Sequence, residues 1–127
     1  KVDNAMYRLL KANTPAITTY ILPATSEVPR RLMHPKKKTI GLRIPSNPIA
    51  QALLKELGEP LITSTLILPN QTDPLDDPFD IEMQLGKRID VFIDGGLGML
   101  ATTSIIDLSQ ENPTIVRRGL GDVSAFE

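Results

Sequence analysis

The chain has 127 residues, with 14 Lys and Arg against 15 Asp and Glu, one His, and neither Cys nor Trp. Length and a 41% hydrophobic, 23% charged composition fit one globular core and exclude disordered or collagen-like chains. Without cysteine there are no disulfides, zinc knuckles or thiol catalysis; the lone His34 leaves no second imidazole, and no apolar run nears the roughly 20 residues of a membrane helix.

No signal peptide stands out, so a cytoplasmic location is expected. The net charge of −1 argues against attraction of nucleic acid by the whole surface, leaving local patches to consider. Lys1 takes the place of an initiator Met, and Val2-Asp3-Asn4-Ala5 reads as the start of a mid-domain helix. A fragment of a longer domain is therefore expected.

In chain order, Ala5, Met6, Leu9, Leu10 and Ala12 recur at helical spacing over residues 3 to 12, and Pro15 ends that helix. Residues 17 to 22 are β-branched and aromatic, which predicts a strand. Thr25 or Ser26 is placed to cap a short helix through residues 28 to 33, with Pro29 in its first turn. Residues 38 to 44 alternate with a period of two, again a strand. Asn47 as N-cap, Pro48 at the first helical position, the stripe Ile49, Leu53, Leu54 and Leu57, and Gly58 beyond its end define the clearest helix. A strand is predicted over 61 to 68, then a helix over 78 to 87 opened by Asp77-Pro78, and a short strand over 89 to 93. Strands over 102 to 108 and 114 to 117, separated by a turn-rich segment, close the chain. The mixture predicts an α/β or α+β sheet domain without internal repeats.

Charge is uneven. Arg30, Arg31, Lys36, Lys37, Lys38 and Arg43 lie between residues 27 and 43, where Glu27 is the only acid. That segment is either a solvated surface or a site for an anionic ligand or RNA backbone. The acidic run Asp73, Asp76, Asp77, Asp80 and Glu82 lacks metal-ligand spacing and reads as a solvated loop rather than a Mg²⁺ site. Gly95-Gly96-Leu97-Gly98 follows a strand but matches neither dinucleotide nor P-loop spacing, so a turn needing positive φ explains it better than a phosphate cradle. His34 has no adjoining nucleophile or carboxylate and reads as a surface residue. Thr39 and Arg43, four apart in a strand, share a face, as do Thr63 and Thr65. Hydroxyls there can donate to ligand oxygens, and arginine pairs in bidentate fashion with phosphate or carboxylate.

At Lys38-Thr39-Ile40-Gly41-Leu42-Arg43-Ile44-Pro45-Ser46-Asn47-Pro48 the chain resembles the YrdC-like family, and within it the YciO subgroup. Asn13-Thr14-Pro15, Glu27-Val28-Pro29-Arg30-Arg31-Leu32, Ile49-Ala50-Gln51-Ala52-Leu53-Leu54, Leu57-Gly58-Glu59-Pro60, Val116-Arg117 and Gly119-Leu120-Gly121-Asp122-Val123 carry the resemblance in order along nearly the whole chain. The resemblance implies a twisted open sheet with surrounding helices and a concave basic face, residues 1 to 127 forming the C-terminal portion of one such domain. It also implies binding of double-stranded RNA, and, in enzymatic members, condensation of threonine, bicarbonate and ATP into threonylcarbamoyl-adenylate for transfer-RNA modification. By that likeness Thr39, Thr65 and Arg117 are expected at a nucleotide, Arg43, Thr63 and Thr103 at a threonine substrate, and Arg30, Arg31, Lys36, Lys37 and Lys38 on RNA. ATP with Mg²⁺ is the expected substrate form, and no resident cofactor or metal is implied.

The departures favour binding over catalysis. Thr65-Leu66-Ile67 stands where enzymatic members carry Ser-x-Asn, and Ile67 has no amide to offer. Losing one polar contact of that kind in a catalytic pocket costs about 2–4 kcal/mol. Pro15-Ala16 replaces the family's Pro-Gly turn, and the family's Lys-x-Arg signature belongs to a region outside these residues. An open sheet also leaves edge strands, which invite self-association, so a homo-oligomer is a further expectation.

Overall fold

The computed structural model describes residues 4–96 and 102–127. They fall into two compact units, one built from residues up to Gln51 and from Thr103 to Glu127, the other from Ala52 to Thr102.

The first unit is a four-stranded sheet in the order β2-β1-β3-β4, formed by β1 (Thr18–Pro23), β2 (Thr39–Arg43), β3 (Ser104–Asp107) and β4 (Thr114–Arg117). β1 is central, antiparallel to β2 and parallel to β3, and β4 returns antiparallel to β3. Side chains alternate across the sheet plane. Thr18, Tyr20 and Leu22 of β1 point with Ser104 and Ile106 of β3 into the core, joined by Leu108, Val123 and Phe126. Met6, Leu9 and Leu10 of helix α1 (Asn4–Ala12), together with Ile115, pack on that cluster. The Tyr20 and Phe126 rings meet tilted at 54°, with centroids 5.7 Å apart. Burial pushes the Tyr20 phenol above its ordinary value, while its hydroxyl donates to the Asn13 carbonyl at 3.4 Å.

The buried Ser104 hydroxyl ties the chain's last segment to the sheet. It donates to the Gly121 carbonyl (2.7 Å) and accepts from the Gly119 amide (2.9 Å). Gly121 passes so close to β1 that a Cβ there would collide with Thr18 Oγ1 and the Ile17 carbonyl.

In α2 (Pro48–Leu57), Asn47 Oδ1 accepts from the amides of Ile49 (2.9 Å) and Ala50 (3.1 Å), the N-cap its sequence position predicts. Gly58, at φ 73°, takes the left-handed conformation past the last turn. Asp77 caps α3 (Pro78–Leu85) by accepting from the Phe79 amide at 2.9 Å.

Three predicted elements differ. Instead of a helix over 28 to 33 there is one 3₁₀ turn, Arg30–Leu32, with neither Thr25 nor Ser26 as cap. Pro29 sits at its N-cap with ψ 138°, and a proline keeps the residue before it out of the α region, so the helix cannot begin earlier. The segments 61 to 68 and 89 to 93 join no sheet among the described residues. Their β-branched composition favours extended chain, but a strand also needs a neighbour to pair with. At the Gly95–Gly98 turn, Gly96 has φ 89°, as a glycine turn requires, whereas Leu97 and Gly98 lie outside the described residues.

Gly121→Ala is expected to lower stability by about 1–3 kcal/mol through overpacking against backbone that cannot yield. Urea denaturation followed by tyrosine fluorescence measures this, and an unchanged midpoint would contradict the packing described.

Candidate functional site

The face of the sheet opposite the core brings together Arg43, Thr19, Thr103 and Arg117. Register places Arg43 directly across from Thr19, and Thr19 beside Ile105, so these side chains share that face. Arg117 joins them because the β3–β4 ladder shifts register between Ile105 and Ile106. Ile115 pairs with Ile106 on the core side, and strict alternation would send Arg117 the same way. The irregularity pairs Arg117 with Ile105 instead and turns its side chain to the open face.

There Arg117 donates from Nε to the Thr103 carbonyl (2.8 Å) and from Nη2 to Thr103 Oγ1 (3.0 Å). Thr103 Oγ1 in turn lies 3.1 Å from Thr19 Oγ1. The two hydroxyls share one hydrogen bond between them, so one O–H remains to donate outward, whichever direction the shared bond runs. Three of the five N–H groups of Arg117 are likewise uncommitted. Arg43 is exposed and forms no hydrogen bond or ion pair with a described residue. Neither arginine has a carboxylate partner; the ion pair found among the described residues is Arg118 with Glu127 at 2.6 Å. Asp107, on the same face, has Oδ1 occupied by the Ser109 amide (2.8 Å) and hydroxyl (2.5 Å). Two open guanidiniums flanking two hydroxyls suit a phosphate or carboxylate.

Thr39 shares the face of Arg43 but stands at the opposite end of β2, across from Pro23. Four residues of strand separate them by roughly 13 Å. Thr63 and Thr65 are exposed on the second unit. Thr19 carries no sequence signal beyond its place in a strand; only pairing with Arg43 and contact with Thr103 reveal it.

The basic segment is a built turn. His34 donates its amide to the Thr39 carbonyl (2.8 Å), and its own carbonyl accepts from the Lys38 amide (2.9 Å). Its imidazole Nδ1 accepts from the amides of Lys36 (3.2 Å) and Lys37 (3.1 Å). Lys38, at φ 54°, completes the reversal in the left-handed region. Arg30 and Arg31 on the preceding 3₁₀ turn and Lys36, Lys37 and Lys38 at the tip are all exposed. His34 is thus a surface residue, as its sequence surroundings predict, with the added task of shaping the turn. The acidic run forms no metal-ligand cluster among the described residues. Asp122, outside the site, has its carboxyl held below the usual range, chiefly by the Ser124 amide.

The Sua5/YciO/YrdC family, described as "Telomere recombination", matches residues 1–119, and the chain belongs to that family. It is 50% identical to the Escherichia coli protein YciO over 125 residues, covering 98% of this chain and 61% of that one. The YciO crystal structure superposes with a TM-score of 0.90 over 99% of this chain. A threonylcarbamoyl-AMP synthase of Halorhodospira halophila is 30% identical over 110 residues, 87% of this chain and 51% of its own length. P. abyssi Sua5 complexed with L-threonine, 22% identical, shares the fold with a TM-score of 0.80 over 94% of this chain and 35% of that one. The chain thus spans about three-fifths of the YciO length. No helix among the described residues is long and apolar enough to cross a membrane.

His34→Ala is expected to release the Lys36 and Lys37 amides, which should exchange with solvent several-fold faster in hydrogen-exchange NMR. His34→Asn, whose side-chain oxygen can accept from the same two amides, should retain protection. Equal exchange in all three proteins would show that the imidazole does not hold the turn.

Proposed function

We propose that this protein binds double-stranded RNA of the transfer-RNA kind through the turn bearing Arg30, Arg31, Lys36, Lys37 and Lys38, and an adenine nucleotide on the open sheet face. The observation that carries the RNA reading is the His34-ordered turn, which holds three consecutive lysines exposed with no acid between residues 28 and 43. Such preorganisation lowers the ordering cost of binding. Recognition rests on backbone shape and phosphate, because residues 27 to 43 contain no aromatic side chain to stack on bases. The nucleotide reading rests on Arg43, Arg117, Thr19 and Thr103. By family resemblance Thr39 and Thr65 serve the nucleotide, and Thr63 serves a threonine ligand together with Arg43 and Thr103. A cytoplasmic setting fits both ligands.

A second reading is threonylcarbamoyl-AMP synthesis from threonine, bicarbonate and ATP with Mg²⁺. The 30% identity to a protein of that name favours it, as does the suitability of two open arginines for one phosphate and one carboxylate. Asp107, the carboxylate placed on the open face, is already engaged through Oδ1 by Ser109, so acceleration would come from positioning and charge neutralisation. Thr65-Leu66-Ile67 weighs against it, because Ile67 lacks an amide.

The two readings separate by experiment. Duplex RNA affinity should fall steeply with salt, and Lys36→Ala, Lys37→Ala and Lys38→Ala should each flatten the logarithmic slope by about one. RNA affinity indifferent to salt and to these changes would overturn the RNA reading. Pyrophosphate release requiring both threonine and bicarbonate would instead place synthesis first.

A further inference from the structure

Midway between Arg43 and Thr39 on β2 stands Gly41, an exposed glycine that its described neighbours do not require. It pairs with Ile21, two residues along from the Thr19–Arg43 pair, so its missing side chain belongs to the same open face. Its φ lies outside the left-handed region, and a Cβ there would meet Thr19 Cγ2 at 3.5 Å, an ordinary van der Waals contact. Gly121 and Gly58 differ, the first having backbone where a Cβ would go and the second having φ 73°. Glycine inside a strand weakens it, because it has more backbone freedom to lose and no side chain to pack. Gly41 therefore costs the sheet stability without serving its geometry. What it creates is a notch, bounded by Thr39 and Arg43 along β2 and by Ile21 across the ladder, with the β2 backbone as its floor. Glycine is the residue that lets another molecule approach a backbone so closely.

We propose, resting on the nucleotide reading above, that the open-face ligand is elongated and lies directly on the β2 backbone at Gly41, its phosphates at the arginines and its far end toward Thr39. Gly41 thereby sets the class of ligand. The arginines accept any phosphate, compact or extended. The notch beside them accepts the body of a nucleotide, with Ile21 offering an apolar contact, where a side chain at position 41 would leave room for a small anion alone. A ligand lying along β2 also gives Thr39 a part in the site despite the roughly 13 Å that separate it from Arg43.

The test is calorimetric titration of ATP and, separately, of pyrophosphate into the wild type, Gly41→Ala and Gly41→Val, with urea denaturation of each protein. Both variants should unfold at or above the wild-type urea midpoint, since alanine and valine suit an exposed strand position better than glycine. ATP should bind about 10-fold more weakly to Gly41→Ala and about 100-fold more weakly to Gly41→Val, because the added carbons occupy the ligand's place. Pyrophosphate, which needs the arginines and not the notch, should bind all three alike. Equal ATP affinity in the three proteins would overturn the role of Gly41 and leave the nucleotide reading standing. A wild type that binds neither ligand would overturn both. Variants that lose pyrophosphate together with ATP, or that unfold at lower urea, would show that Gly41 serves the fold and would overturn the proposal.

Discussion

The parallel pairing of β1 with β3 sets which residues enter the core and which stay on the open face. With Thr18 opposite Ser104 and Tyr20 opposite Ile106, one row of each strand enters the core. The alternate row, Thr19 with Ile105 and, one step earlier, Thr103, is held on the far side. A slip of one residue would turn Tyr20 or Ile106 out of the core and bring Thr19 or Ile105 into it. Ser104 secures the arrangement from the core side through Gly119 and Gly121. Thr103, its neighbour in sequence, holds Arg117 on the open side. Two residues adjacent in sequence, Thr103 and Ser104, thus anchor groups on opposite faces of the sheet.

Much of this was legible in the sequence because it rests on local chemistry. The helix caps at Asn47 and Asp77 follow from side chains that satisfy nearby amides. Alternation placed Thr39 and Arg43 on one face, and the register agrees. What sequence could not show is relational. Arg117 reaches the open face only through a ladder irregularity whose position depends on two strands at once. Thr19 becomes a candidate only beside Arg43 and Thr103. The segments 61–68 and 89–93 have strand composition without strand pairing, because composition cannot supply a neighbour.

His34 shows how an unpromising residue acquires a task. Its imidazole accepts two backbone amides and so fixes the turn on which three lysines sit. The turn joins β2 at Thr39, so the same short stretch links the basic segment to the sheet. Membership of the Sua5/YciO/YrdC family and likeness to YciO set this arrangement among proteins that include threonylcarbamoyl-AMP synthases.

Arg43, Thr19, Thr103 and Arg117 form a row on the open sheet face that we propose binds an anion. Calorimetric titration of ATP, with and without L-threonine, into the wild type, Arg43→Ala and Arg117→Ala tests it most directly. ATP binding is expected to weaken about 10- to 100-fold in Arg117→Ala, the loss of charge-assisted hydrogen bonds, and threonine dependence to vanish in Arg43→Ala. ATP affinity equal in all three proteins would contradict it.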